Sequence, residues 1–130
     1  MGLGVNMFKF VGYRYEPFIC KVYTMDESGE NLKNLPKYFD DVNHSPTGFE
    51  WGYGGSGPAQ LAYAILRKFF TTKHTPSEAK RLALLYYQDF KWEVVAKFEK
   101  SGFVLKNEDI EFWFRKHLTI EAYDSIIGSH

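Results

Sequence analysis

The sequence predicts an α+β fold, a small antiparallel sheet packed on three helices, and three observations carry that expectation. Two runs rich in aromatic and β-branched residues, Met7–Tyr13 and Phe18–Thr24, are separated by a short polar segment containing Pro17, the pattern of an antiparallel hairpin. A segment that is apolar nearly all round, Ala59–Phe70, follows a glycine-rich turn, which marks a helix buried on every side. Thr75-Pro76-Ser77-Glu78 then opens a long stretch with apolar residues at steps of three and four, a capping box leading an amphipathic helix.

Each element follows in order. In the first run Phe8, Phe10 and Gly12 point one way and Lys9 and Val11 the other. Asp26–Asn31 is a polar turn. From Leu32 to Gly48 turn formers dominate, with Leu35, Tyr38, Phe39 and Val42 as apolar anchors, and a loop of this length inside a small domain is often functional. Phe49–Tyr53 alternates aromatic with other residues, predicting a short strand that joins the sheet. Gly57 is expected at the N-cap of the buried helix, with Pro58 at its first position. Ala79, Leu82, Ala83, Tyr86, Phe90, Val94 and Phe98 then define a helix ending before Gly102, about 24 residues and ~36 Å long. Phe103–Leu105 reads as extended. Asn107 is expected to cap a third helix with Glu108 and Asp109 in its first turn. Thr119–Ile127 fits a strand, a short helix or a docked extension.

Length and composition bound the rest. Residues 1–127 are expected to form one domain, because two cores would be too small to be stable. Gly128-Ser129-His130 reads as a native tail or a tag remnant. Aromatic residues make up 18% of the chain, enough for a dense core and for some exposed rings on a partner surface. Sixteen basic and sixteen acidic residues cancel, which argues against nucleic acid as a partner and leaves homodimer formation open. Cys20 is the single cysteine, so no intrachain disulfide or thiolate metal cluster can form; a reducing cytoplasm is the expected setting. No apolar run approaches the ~20 residues of a membrane-spanning helix. Met1–Val11, broken by Asn6 and Lys9, is too short for a signal peptide.

Candidate functional residues cluster around the glycine turn. Gly52–Gly57 contains Gly-x-Gly-x-x-Gly, but the dinucleotide fingerprint also needs a βαβ unit and an acid about twenty residues on. A Walker loop needs Lys where Pro58 stands. What remains is a glycine turn facing a helix start, able to hold an anion on its amides or simply to let the backbone bend and pack closely. The candidate ligand-binding set is Asn43, His44, Ser45, Glu50, Trp51, Gly54, Gly55, Ser56 and Gly57. His44 has the chemistry of a general base or donor but no visible partner. Ser56 would need glycine, not Pro58, two residues on to form a nucleophile elbow. Glu50 lies between aromatics, where a carboxyl can be held protonated or simply occupy the solvated face of a strand. No metal set, no cofactor motif and no complete catalytic constellation emerges. The expected function is a non-enzymatic binding or regulatory module for a protein or small anionic ligand. The alternative is a phosphate- or nucleotide-ligand protein or enzyme using this turn with His44 or Glu50.

Asn43-His44-Ser45-Pro46, the run from Gly48 through Phe49-Glu50-Trp51-Gly52-Tyr53-Gly54-Gly55-Ser56-Gly57-Pro58-Ala59-Gln60-Leu61-Ala62, and Tyr87-Gln88-Asp89-Phe90-Lys91 resemble a family of small uncharacterised proteins of bacteria, archaea and their viruses. The likeness covers about residues 8–118 and implies one intact domain. It also implies a viral or mobile-element origin, with an accessory or host-interaction role, and no particular reaction, cofactor or partner.

Overall fold

A computed structural model describes residues 8–17, 19–45 and 48–128. Met7 and Phe18 of the expected strands, Pro46 and Thr47 of the loop, and Ser129 and His130 of the suspected tag remnant lie outside the described residues. The chain is an α+β fold. Its elements are β1 (Phe8–Glu16), β2 (Ile19–Asp26), β3 (Lys33–Asn34), α1 (Ser56–Thr71), α2 (Pro76–Glu93), a 3-10 turn (Val95–Lys97), β4 (Gly102–Lys106), α3 (Asn107–His117) and α4 (Ile120–Ile126). The strands form one antiparallel sheet in the order β3-β2-β1-β4.

Alternation decides which way the sheet faces. Phe10, Val22, Phe103 and Leu105 join the core with Trp51 and the buried residues of α1. Val11 is buried but belongs to the opposite face and is no part of that core. α1 is buried at every position from Gly57 to Leu66, as its all-apolar sequence requires. α2 returns antiparallel along it, presenting Ala79, Leu82, Ala83, Tyr87 and Phe90. α3 closes the core with Ile110, Trp113 and Phe114. Phe114 stacks on Phe69 with ring centroids 6.3 Å apart, and Trp113 meets Phe90 edge-on at 5.2 Å.

Several boundaries differ from the sequence expectation, each for a local reason. Phe49–Tyr53 is not a strand; it runs irregularly beneath the sheet, and Gly102–Lys106 takes the fourth place by pairing with β1. α1 is capped by Gly55, not Gly57, which puts Pro58 third in the helix, still among the positions whose N–H has no intrahelical partner. α2 stops at Glu93 because Val94 leaves helical geometry, and the Val95 carbonyl is taken by the Gly52 amide at 3.1 Å. Thr75 accepts from the Glu78 amide at 3.3 Å, but the Glu78 carboxylate pairs with Arg81 and does not complete the box. Asn107 is the first residue of α3, with Lys106 in the capping position and its amide held by Asp109 at 2.9 Å. The tail resolves into a short helix capped by Thr119.

Candidate functional site

The loop before the glycine turn is held by one side chain. Gln60, fully buried in α1, accepts from the His44 amide at 2.7 Å and donates to the carbonyls of Lys37 at 2.7 Å and Val42 at 3.0 Å. Asp41 adds a second tie by accepting from the Tyr63 hydroxyl at 2.7 Å and from Arg67 at 2.9 Å. Burial pushes the Asp41 carboxyl up, but the bonds from Tyr63 and Arg67 outweigh it and hold the group below its ordinary value. These ties bring His44 to α2, where its ring stacks on Tyr87 at 5.2 Å.

The four glycines next in line serve different purposes. Gly52 has φ +87, a conformation costly for any residue with a side chain. Gly54, Gly55 and Gly57 do not need that region; they permit close approach. A Cβ on Gly54 would overlap the Trp92 ring, one on Gly55 would come within 2.6 Å of the Tyr53 ring, and one on Gly57 within 2.6 Å of the Glu50 Cβ. The turn is thus threaded between aromatic rings. Among the described residues no protein acceptor takes the amide N–H groups of Gly54, Gly55, Ser56 or Gly57. No acidic residue occupies the first turn of α1 and no side chain caps it, so the positive end of the helix is uncompensated.

Beside it stands Lys91, a cation on the packed side of α2. Lys91 is only 8% exposed, and among the described residues it forms no ion pair. Its ammonium lies 4.2 Å from the centroid of the Trp92 ring, the same ring that covers Gly54. Trp92 and Tyr53 are 56% and 44% exposed, and Lys100 sits over Tyr53 at 5.2 Å. Unpaired amides, two lysines and two accessible rings therefore share one surface.

A model for a family of unknown function, DUF6166, matches residues 11–116. The chain belongs to the DUF6166 family. No curated protein and no solved structure matches it.

Within this DUF6166 chain the candidate residues divide into two groups. Ser56 is exposed, Gly54 and Gly55 are partly exposed and Gly57 is buried at the helix start, with His44 nearby on Tyr87 and Asn43 exposed in the clamped loop. Ser45 is buried. Trp51 is fully buried and donates its indole N–H to the Glu99 carbonyl at 3.0 Å, which makes it part of the core. Glu50 is clamped by Arg14 through two bonds of 2.8 and 2.6 Å and accepts from the Trp51 amide at 3.0 Å. Arg14 also donates to the carbonyls of Lys100 and Pro17 and to the Cys20 sulfur. The Arg14 bonds therefore hold the Glu50 carboxyl below its ordinary value, the reverse of a carboxyl kept protonated by aromatic neighbours. Burial, reinforced by the Glu50 charge, pushes the Cys20 thiol up to about 11, so Cys20 is protonated and unreactive at neutral pH.

This clamp has a pH signature. A carboxylate whose folded pKa is depressed contributes stability that is fully present above its unfolded value, about 4.3 for Glu. That contribution is lost as pH falls through the lower folded value. Glu50→Gln is expected to cost about 2 kcal/mol at pH 7, with the deficit shrinking as the wild type is acidified below about pH 4. Urea unfolding across this range checks it; a deficit that does not change with pH would remove the charge from the explanation.

Among the described residues no group of three or more His, Cys, Asp or Glu side chains could hold a metal ion. No helix among them is long and apolar enough to cross a membrane.

Proposed function

We propose that this DUF6166 protein is a binding module for a small anionic ligand, held at the glycine turn. The observation that carries the reading is the run of unpaired amides at Gly54–Gly57 beside the nearly buried, carboxylate-free Lys91. Backbone N–H groups at a helix start supply directed donors, and the helix dipole favours negative charge there. The Lys91 side chain is nearly buried and has no carboxylate partner among the described residues, so an anion would supply its counter-charge. Tyr53 and Trp92 add faces on which a planar group can stack, so a phosphate- or carboxylate-bearing ring compound fits better than a bare ion. The reading is of binding and not turnover: Glu50 is occupied by Arg14 and Trp51, and His44 has no acid partner among the described residues.

Titration with inorganic phosphate and with nucleoside monophosphates, followed by thermal shift and amide NMR, tests it. A ligand at one hundred times its Kd should add about 2.7 kcal/mol of stability, with the largest shift changes at the amides of Gly54–Gly57. Lys91→Gln should weaken that binding about tenfold or more, in line with the loss of one charge-assisted contact. No stabilisation at millimolar ligand, or stabilisation unchanged by Lys91→Gln, would defeat the proposal.

A further inference from the structure

The face of the sheet turned away from the helices carries a pattern that neither the core nor the glycine turn uses. Strand pairing sets its side chains in rows. Lys9 of β1 lies directly between Met25 of β2 and Lys106 of β4, and Tyr13 lies between Lys21 and Gly102. Between those rows Val11 separates Tyr23 from Val104. Tyr13 packs against Tyr15 with ring centroids 6.0 Å apart and against Tyr23 at 5.9 Å, forming one continuous patch. Tyr13 and Tyr15 are 43% and 58% exposed. Gly102 leaves the β4 side of the Tyr13 ring without a flanking side chain.

The charge on this face is mainly positive. Among the described residues of β1, β2 and β4 its charged side chains are Lys9, Lys21 and Lys106, with Glu16 opposite Ile19 past the bulge at the turn end of the hairpin, and none of the three lysines forms an ion pair among the described residues. Glu27 stands just beyond the other end of the hairpin. Lys9 reaches no further than the Glu27 carbonyl, at 3.4 Å. Lys9 and Lys106 are direct cross-strand partners, and like charges placed opposite each other destabilise a sheet. A free surface has no need of that arrangement; a polyanion lying across it would turn the repulsion into attraction.

We infer that this face binds single-stranded nucleic acid, with bases stacked on Tyr13, Tyr15 and Tyr23 and phosphates held by Lys9, Lys21 and Lys106. Each component has a physical reason. Every base has a π-face, so exposed rings on a flat sheet bind bases without reading sequence. The two lysine rows are four residues apart along the strands, about 13 Å at ~3.3 Å per residue, which spaces the ammonium groups along a chain of a few nucleotides. Zero net charge is an average over the whole molecule and does not describe this face.

Fluorescence anisotropy with labelled oligo-U and oligo-dT of about ten nucleotides, at about 50 mM salt, tests the inference. Binding should weaken with salt at a slope near −2, as three phosphate contacts to a single strand require. Tyr15→Ala should reduce affinity about fivefold or more. Lys106→Gln should also reduce affinity while leaving the unliganded protein as stable as before or slightly more so, a combination that a purely structural lysine would not give. Lys91→Gln should leave this binding unchanged, which separates it from the glycine turn. The inference is overturned by no anisotropy change up to about 0.1 mM protein at low salt, or by binding indifferent to the Tyr15 and Lys106 changes. It is equally overturned if Tyr15→Ala abolishes self-association in analytical ultracentrifugation without any oligonucleotide binding, which would assign the face to a second copy of the chain.

Discussion

Gln60→Leu is expected to cost about 3 kcal/mol of folding stability and to release the loop that carries His44. Leucine matches the volume and suits the fully buried position, so the loss comes almost wholly from hydrogen bonding. Three backbone groups lose their partner: the His44 N–H and the carbonyls of Lys37 and Val42. Each buried polar group left unpaired costs about 1–3 kcal/mol, but Lys37 and His44 are exposed residues whose backbone can turn to water. The expected total therefore lies near the middle of the range and not at its sum. The loop also contains Tyr38 at φ +58, a strained conformation for a large side chain. That geometry is held by the Asp41 and Val42 amides, both bonded to the Tyr38 carbonyl, and Gln60 fixes the segment on either side. Hydrogen exchange should show the His44 amide protected in the native protein and fast in the variant. Gln60→Glu should be worse than leucine at neutral pH, because a carboxylate would face two carbonyls, and should improve as pH falls and the acid becomes a donor. A leucine variant with unchanged stability and unchanged exchange at His44 would mean that the loop is held by Asp41 alone.

How much of this was legible depends on the range of each interaction. The hairpin, the buried helix and the Thr75 start are written in local periodicity and capping residues, and all three formed. Alternation also separated Phe8, Phe10 and Gly12 from Lys9 and Val11 correctly. The failures arose where a distant partner decided the outcome. Phe49–Tyr53 alternates like a strand, but the edge of β1 is filled by residues some fifty positions later. α2 could have continued through Phe98 by its apolar spacing, yet Gly52 draws on the Val95 carbonyl.

The site was less legible for the same reason. The glycine turn was visible, but not that Gly52 alone among its glycines needs positive φ while the others make room for Trp92, Tyr53 and Glu50. Glu50 looked like a candidate acid because its partner, Arg14, lies on β1, 36 residues earlier in the chain. Two residues did carry a local signal. Gln60 is the one amide in the apolar run Ala59–Leu66, the expected position of a buried polar anchor. Lys91 continues the row Ala83, Tyr87 at intervals of four, which places it on the packed side of α2.

Gly12→Ala is the second change with a large expected effect, and its sign opposes simple propensity. Replacing a strand glycine by alanine ordinarily stabilises by about 0.5–1 kcal/mol through lower chain entropy. Here the new methyl would point to the core face and overlap the Phe103 ring. That ring cannot swing aside freely. It is stacked on Phe98 with centroids 4.1 Å apart and meets the fully buried Trp51 edge-on at 5.1 Å. Forcing an extra methyl into a well-packed core costs about 1–3 kcal/mol, and the crowded partner here is an aromatic sandwich joining β4 to the glycine turn's approach. We therefore expect a net loss of about 2–3 kcal/mol in urea unfolding, with a changed Trp51 fluorescence. Phe103→Leu should remove most of the overlap, so the double variant should be more stable than the sum of the two single losses predicts. Strict additivity would show that Phe103 is not what keeps position 12 a glycine, and the close approach of β1 to β4 would then need another cause.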